Sequence, residues 1–256
     1  MDKTRIVVGA SGSTGSLAAV RWAAAEARLR DSELRVVVAY QRRPSGVIAS
    51  SQAANQAETA KIMHEAVAAA RAIAPACEVR GVALPGYAVP ALLHAAEEAA
   101  LLVVGDHGGG RMFGAPTDSV AAQVATQARC SVVVVRGTTD RADGPVVVGV
   151  DDDPAADAII GRAFEEAALR GAPVVAVTAG PASPDTRLEQ WQAKFRSVPA
   201  QHEYVDGRPD KVMVDSCRQA RLAVVGPRRH GYQGVLLGAV GTRLLRRSDC
   251  PVLIAR

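Results

Sequence analysis

The residues best suited to chemistry in this chain lie in one glycine-rich loop. From Gly105 to Ser119 it reads GDHGGGRMFGAPTDS: Gly105, two residues, Gly108, nine residues, then Asp118 and Ser119. Glycine turns let backbone amides approach phosphate oxygens, and a helix opening near Ser119 would add partial positive charge. The same spacing also fits a plain tight turn. A second stretch, GPRRHGYQGVLLGAV from Gly226 to Val240, has the same outline with changed parts. Arg229 stands where the second glycine would be, and Ala239, not a hydroxyl residue, follows Gly238. Arg228 and Arg229 could neutralise an anion by charge, but they could not reproduce a close amide cradle. His107 and His230 lie in these loops. With no Ser or Cys nucleophile in a recognisable motif, and GxSxG absent, they read as surface histidines. Asp151-Asp152-Asp153 is a run of three carboxylates. It could suggest Mg²⁺, but Asp153 followed by Pro154 also suits a helix start, as N-cap and first helical residue.

These loops need strands to carry them, and the chain supplies two sets. Ile6–Ala10 reads IVVGA and Val146–Val150 reads VVVGV; Cys130 opens CSVVVVR and Cys250 opens CPVLIAR. Solenoid repeats run about 20–50 residues, so this longer period means two tandem copies of one domain, expected at residues 1–138 and 145–256. Gly9 and Gly149 are 140 positions apart and Gly105 and Gly226 are 121 apart, so the second copy is about 19 residues shorter between its second and fourth strands. In the first copy, strands are expected near 5–10, 35–40, 77–83, 101–104 and 131–135. Helices are expected near 16–30, capped by Ser13, and near 50–74, 89–99 and 119–128. The second copy repeats the strands near 146–150, 174–178, 201–204, 222–225 and 252–255, with a short helix around 186–195. Alternation at this spacing predicts a doubly wound parallel α/β sheet in each copy. Residues 137–144, rich in Gly, Thr and Asp, are expected as an exposed linking turn.

Composition narrows the function classes. Hydrophobic residues make up 48%, charged residues 22% and aromatics 4%, with a net charge of +4. A core of Ala, Val and Leu follows. The basic residues are scattered and lack the clustered, aromatic-partnered pattern of a nucleic-acid face. No apolar run approaches the roughly 18–20 residues of a membrane span. Cys77, Cys130, Cys217 and Cys250 show no CxxC spacing and read as small core residues. Neither nucleic acid nor membrane is expected as a partner, and a reduced, cytoplasmic protein is.

Both copies resemble the universal stress protein family, and the whole chain resembles a tandem two-domain member. The likeness rests on the GASGS turn after the first strand, the Gly105–Gly108–Ser119 spacing, and the last strands opening CSVVVV and CPVLIA. It implies two five-stranded α/β sandwiches related by a pseudo-two-fold, paired through their last strands, with homodimerisation compatible. It implies a regulatory, stress-response role without robust catalysis. One branch of the family binds ATP, with Mg²⁺ accompanying it, through an Asp after strand one and a G-x2-G-x9-G-(S/T) loop. The nucleotide contacts implied for this chain are Gly9, Ala10, Ser11, Ala39, Gly105, Gly108, Asp118, Ser119, Val120, Asp151 and Gly226. The family's Asp falls at Ser11 in the first copy and at Asp151 in the second, and its third glycine falls at Asp118. Asp118 would repel phosphate, or would cap the following helix itself. The expectation is a non-catalytic module with degenerate adenine-nucleotide sites, or else an ATP sensor acting mainly through the first copy, or a weak ATPase.

Overall fold

The computed structural model describes residues 4–41, 49–106, 119–139, 141, 143–153, 155–182, 185–229 and 235–256. The chain divides into two compact units, Met1–Val135 and Arg136–Arg256.

In the first unit, β1 (Arg5–Gly9), β2 (Glu33–Tyr40), β3 (Val79–Pro85), β4 (Leu101–Gly105) and β5 (Ser131–Val135) alternate with four helices. These are α1 (Thr14–Leu29), α2 (Ala49–Ile73), α3 (Ala88–Ala95) and α4 (Val120–Gln127). The strand order is β3-β2-β1-β4-β5 and every pairing is parallel. The order reverses between β1 and β4, which places the ligand crevice of such a sheet at their carboxyl ends. Ile6, Val7, Val8, Leu102 and Val103 are fully buried, as continuous apolar strands with helices on both faces require.

The second unit repeats the plan with β6 (Val146–Gly149), β7 (Val174–Ala179), β8 (Ala200–Val205), β9 (Leu222–Val225) and, at the end of the chain, β12 (Val252–Ile254). Its order, β12-β9-β6-β7-β8, is again parallel throughout. The helices are α5 (Ala156–Arg170), α6 (Arg187–Lys194), α7 (Pro209–Ser216) and α8 (Ala239–Arg247). Helix α6 has 8 residues where α2 has 25, which accounts for the shortening between the second and fourth strands. A two-residue antiparallel ribbon, β10 (Arg228–Arg229) with β11 (Val235–Leu236), is a feature that sequence periodicity did not suggest.

The duplication reaches single side chains. Glu26 and Glu166 are buried and hold Arg30 and Arg170 one helical turn on, at 2.6 and 2.5 Å. Asp31 and Gly171 follow α1 and α5 in the left-handed region, with φ of 49° and 61°. The next amides, of Ser32 and Ala172, return to Ala27 and Ala167, the usual closure of a helix by a left-handed residue.

Two expectations change in detail, and one holds for half of its residues. The turn after β6 does not use Asp153 as the cap of a helix starting at residue 154. The Asp153 carboxylate accepts from the Ala155 amide at 2.8 Å, and the helix proper opens at Ala156. The linking turn is exposed only in part. Gly144 is buried, and a Cβ there would meet Gln219 O at 2.5 Å; Thr138 N donates to Asp249 O. Of the four cysteines expected in the core, Cys217 and Cys250 are buried, whereas Cys77 and Cys130 are partly exposed. Contact with the Cys250 thiol and burial together push the Cys217 thiol up, which keeps it protonated.

Candidate functional site

Both crevices begin with a strand that ends in glycine because a side chain from the helix beyond fills the space. A Cβ on Gly9 would lie 3.1 Å from the Leu92 methyls, and one on Gly149 would lie 3.2 Å from Met213 Sδ. In the first unit, Ala10 is buried and its amide donates to Val37 O at 2.9 Å. The turn is then closed by serines. Ser11 N donates to Ser16 Oγ at 3.1 Å, the Ser11 and Ser13 hydroxyls meet at 3.1 Å, and Ser13 Oγ accepts from Ser16 N as the cap of α1. Ala39 is partly exposed at the end of β2, two residues beyond Val37, which pairs with Gly9.

Gly105 ends β4, and its lack of a side chain has a structural cause. A Cβ there would sit 2.3 Å from Gly15 O and 2.8 Å from Ser16 N, so the start of α1 packs directly on the strand. The cap of α4 is Ser119, whose hydroxyl accepts from Ala122 N at 3.1 Å; Val120 is the first helical residue. The helix is therefore self-capped by its hydroxyl residue, a role the sequence had offered to Asp118. Gly108, Asp118 and His107 lie outside the described residues, as does His230 in the second unit.

The second unit has a formed cavity of about 210 Å³ at the carboxyl ends of β6, β7 and β9. The turn Gly149–Asp153 and the start of α5 form one wall, and Val177–Ala179 of β7 another. Val212 and Met213 of α7 add apolar surface, Gly226 borders it just after β9, and Gly238, Val240 and Gly241 complete it at the start of α8. Asp151 and Gly226 thus line the same cavity. Ala179 occupies the place of Ala39, two residues beyond Val177, the partner of Gly149. The N-cap of α8 is Gly238, which offers no side chain to the first amides. Free amides at a helix start carry partial positive charge and accept an anion readily. Arg229 has its backbone in β10, and its side chain lies outside what is described.

The acidic turn is held by the protein itself. Asp151 Oδ1 accepts from Asp153 N at 3.2 Å. Arg187, at the start of α6, donates from Nη2 to Asp151 O at 3.0 Å and is paired with Asp185 at 2.8 Å. The guanidinium hydrogen bond keeps the Asp185 carboxyl below its usual range. Among the described residues no group of three or more His, Cys, Asp or Glu side chains could hold a metal ion.

At the β7 end of the cavity, Thr178 Oγ1 lies 2.9 Å from His202 Nε2 and 3.3 Å from Val150 O. His202 Nδ1 lies 3.1 Å from the Tyr204 hydroxyl, and the two rings stack at 4.2 Å. Burial, aided by the Arg187 charge and opposed by Asp185, holds the imidazole below its ordinary pKa and so neutral. Sequence reasoning missed Thr178, His202 and Arg187. The available signal was the hydroxyl at Thr178, where the first copy has Val38.

The family model described as the Universal stress protein family matches residues 3–136 and 182–256. A universal stress protein of Mycobacterium tuberculosis strain H37Rv is 31% identical over 98% of this chain and 96% of its own length. The crystal structure of a universal stress protein from Archaeoglobus fulgidus superposes with a TM-score of 0.79, covering 100% of this chain and 97% of that one at 15% identity. A universal stress protein crystallised in complex with cAMP aligns with 53% of this chain and 99% of its own at 30% identity, with a TM-score of 0.45.

Proposed function

The chain belongs to the universal stress protein family, and on that premise we propose that it is a non-catalytic regulatory module that holds an adenine nucleotide in its second unit. One observation carries this reading: the cavity joins an apolar floor to the uncapped start of α8. Its volume of about 210 Å³ is below the roughly 300–1,000 Å³ of pockets that enclose drug-sized ligands. It therefore takes the nucleoside portion and leaves phosphates at the mouth, beside the α8 amides. Mg²⁺ would enter with a triphosphate, shared between its oxygens and solvent. In the first unit Ser119 already uses an α4 amide, which argues for the weaker site there.

The test is calorimetry with Mg-ATP on the full chain, paired with mass spectrometry of nucleotide released on denaturation. Ala179→Phe fills the cavity and should abolish binding, whereas Ala39→Phe at the matching place in the first unit should leave it intact. The reverse pattern would move the site to the first unit. Phosphate release from bound ATP no faster than in buffer supports the non-catalytic role, and sustained turnover would overturn it.

A further inference from the structure

The cavity carries its own hydrogen-bond polarity, set by a residue pair outside the turns already described. Thr178 has one hydroxyl hydrogen and two acceptors beside it within the unit, His202 Nε2 at 2.9 Å and Val150 O at 3.3 Å. If Nε2 is unprotonated, Thr178 donates to it. If Nε2 carries the proton it donates to Thr178, and the hydroxyl hydrogen goes to the Val150 carbonyl. A ligand acceptor would have to take that hydrogen and leave one of these partners unsatisfied, which costs free energy at a partly buried site. In both tautomers the hydroxyl keeps a lone pair for a ligand. His202 is held in turn by the stacked Tyr204 ring and its hydroxyl, so the pair is preorganised.

Thr178 and the start of α8 lie at opposite ends of the cavity. The strand order runs β12-β9-β6-β7, with α8 packed against β12, and adjacent strands are about 4.8 Å apart, so β7 stands about 10 Å from β9. An anion at α8 therefore leaves the nucleoside end of the same ligand at Thr178. We propose that Thr178, positioned by His202, is a specificity-determining residue that presents only a hydrogen-bond acceptor and so selects a ligand with an N–H or O–H donor at the end remote from its phosphates. This rests on the nucleotide reading of the second unit and adds to it the donor requirement. In ATP the donors of that kind are the exocyclic amine and the ribose hydroxyls.

Titration calorimetry of the full chain with ATP, 2′,3′-dideoxy-ATP, which lacks both ribose hydroxyls, and the triphosphate of purine riboside, which lacks the amine, separates the two kinds of donor. Wild type should lose about 2- to 12-fold in affinity, the worth of one net hydrogen bond, for one of the two analogues. Thr178→Val should weaken ATP by a similar factor and erase the preference for ATP over that analogue. Thr178→Ser should restore both, and His202→Phe should reduce the preference while leaving ATP binding measurable. A Thr178→Val protein that binds all three ligands as wild type does overturns the role of Thr178 while leaving the nucleotide site standing. Absence of binding by any of the three to wild type overturns both.

Discussion

A glycine shared by the two units does different work in each. Gly105 faces the backbone of Gly15 and Ser16, whereas a Cβ on Gly226 would meet, among the described residues, Ile159 side-chain carbons at 2.9 Å. A side chain can rotate away and a helix start cannot. Gly105→Ala should therefore cost about 3 kcal/mol, at the upper end of overpacking penalties, and Gly226→Ala less than about 1 kcal/mol. Thermal melts of the two variants give the comparison, and equal losses would contradict this account. The glycines were legible in the sequence. Their causes were not, because residue spacing does not show what stands opposite a Cβ. A similar gap hid His202, whose neighbours arrive from β7 and α6. Its folded pKa is depressed by burial and the Arg187 charge against the opposing pull of Asp185, so the folded state refuses a proton that the unfolded chain accepts near pH 6.5. Stability should accordingly fall as pH drops below about 6.5, levelling off below the folded value. His202→Phe should flatten that slope in denaturation measured from pH 7 to pH 5.

At the scale of elements, the informative contrast is between capped and uncapped helices. Helices α1 and α4 begin on Ser13 and Ser119, each accepting an amide with its hydroxyl; α8 begins on Gly238 with none. Gly238 has φ −56° and ψ 178°, extended backbone open to any residue, so its glycine is not demanded by conformation. Gly238→Ser should add a cap and stabilise the ligand-free protein by a few tenths of a kcal/mol. The same hydroxyl would occupy an amide that the nucleotide needs, so affinity should fall. Thermal shift with and without ATP reads both signs at once, and a stabilised variant with unchanged affinity would detach α8 from the site. Strand and helix order could be read from apolar runs and caps, which are local signals. The β10–β11 ribbon could not, since it pairs only two residues per strand.

For the molecule as a whole, two copies of one plan make each unit the control for the other. The duplication was visible because the strand motifs recur, at an offset of 140 early in each copy and 121 at the fourth strand; the buried pairs Glu26–Arg30 and Glu166–Arg170 extend it to side chains. The shape of the second unit's cavity was not visible, because it depends on how the β6 turn, the Arg187 brace, α7 and the start of α8 come together in space. Ligand binding to the folded state stabilises it by about 2.7 kcal/mol at a hundredfold excess over Kd. Hydrogen exchange under saturating Mg-ATP should therefore slow about 100-fold in the second unit's most protected amides, those that open only on unfolding. Added protection should appear at Gly149–Asp153, Val177–Ala179 and Gly238–Gly241. The matching first-unit segments, Gly9–Ser11, Val37–Ala39 and Ser119–Ala121, should exchange as they do without ligand. Protection that instead appeared at those first-unit segments would mean that the Ser119 cap yields to phosphate, and that the nucleotide is held by the copy with the serine-closed turn.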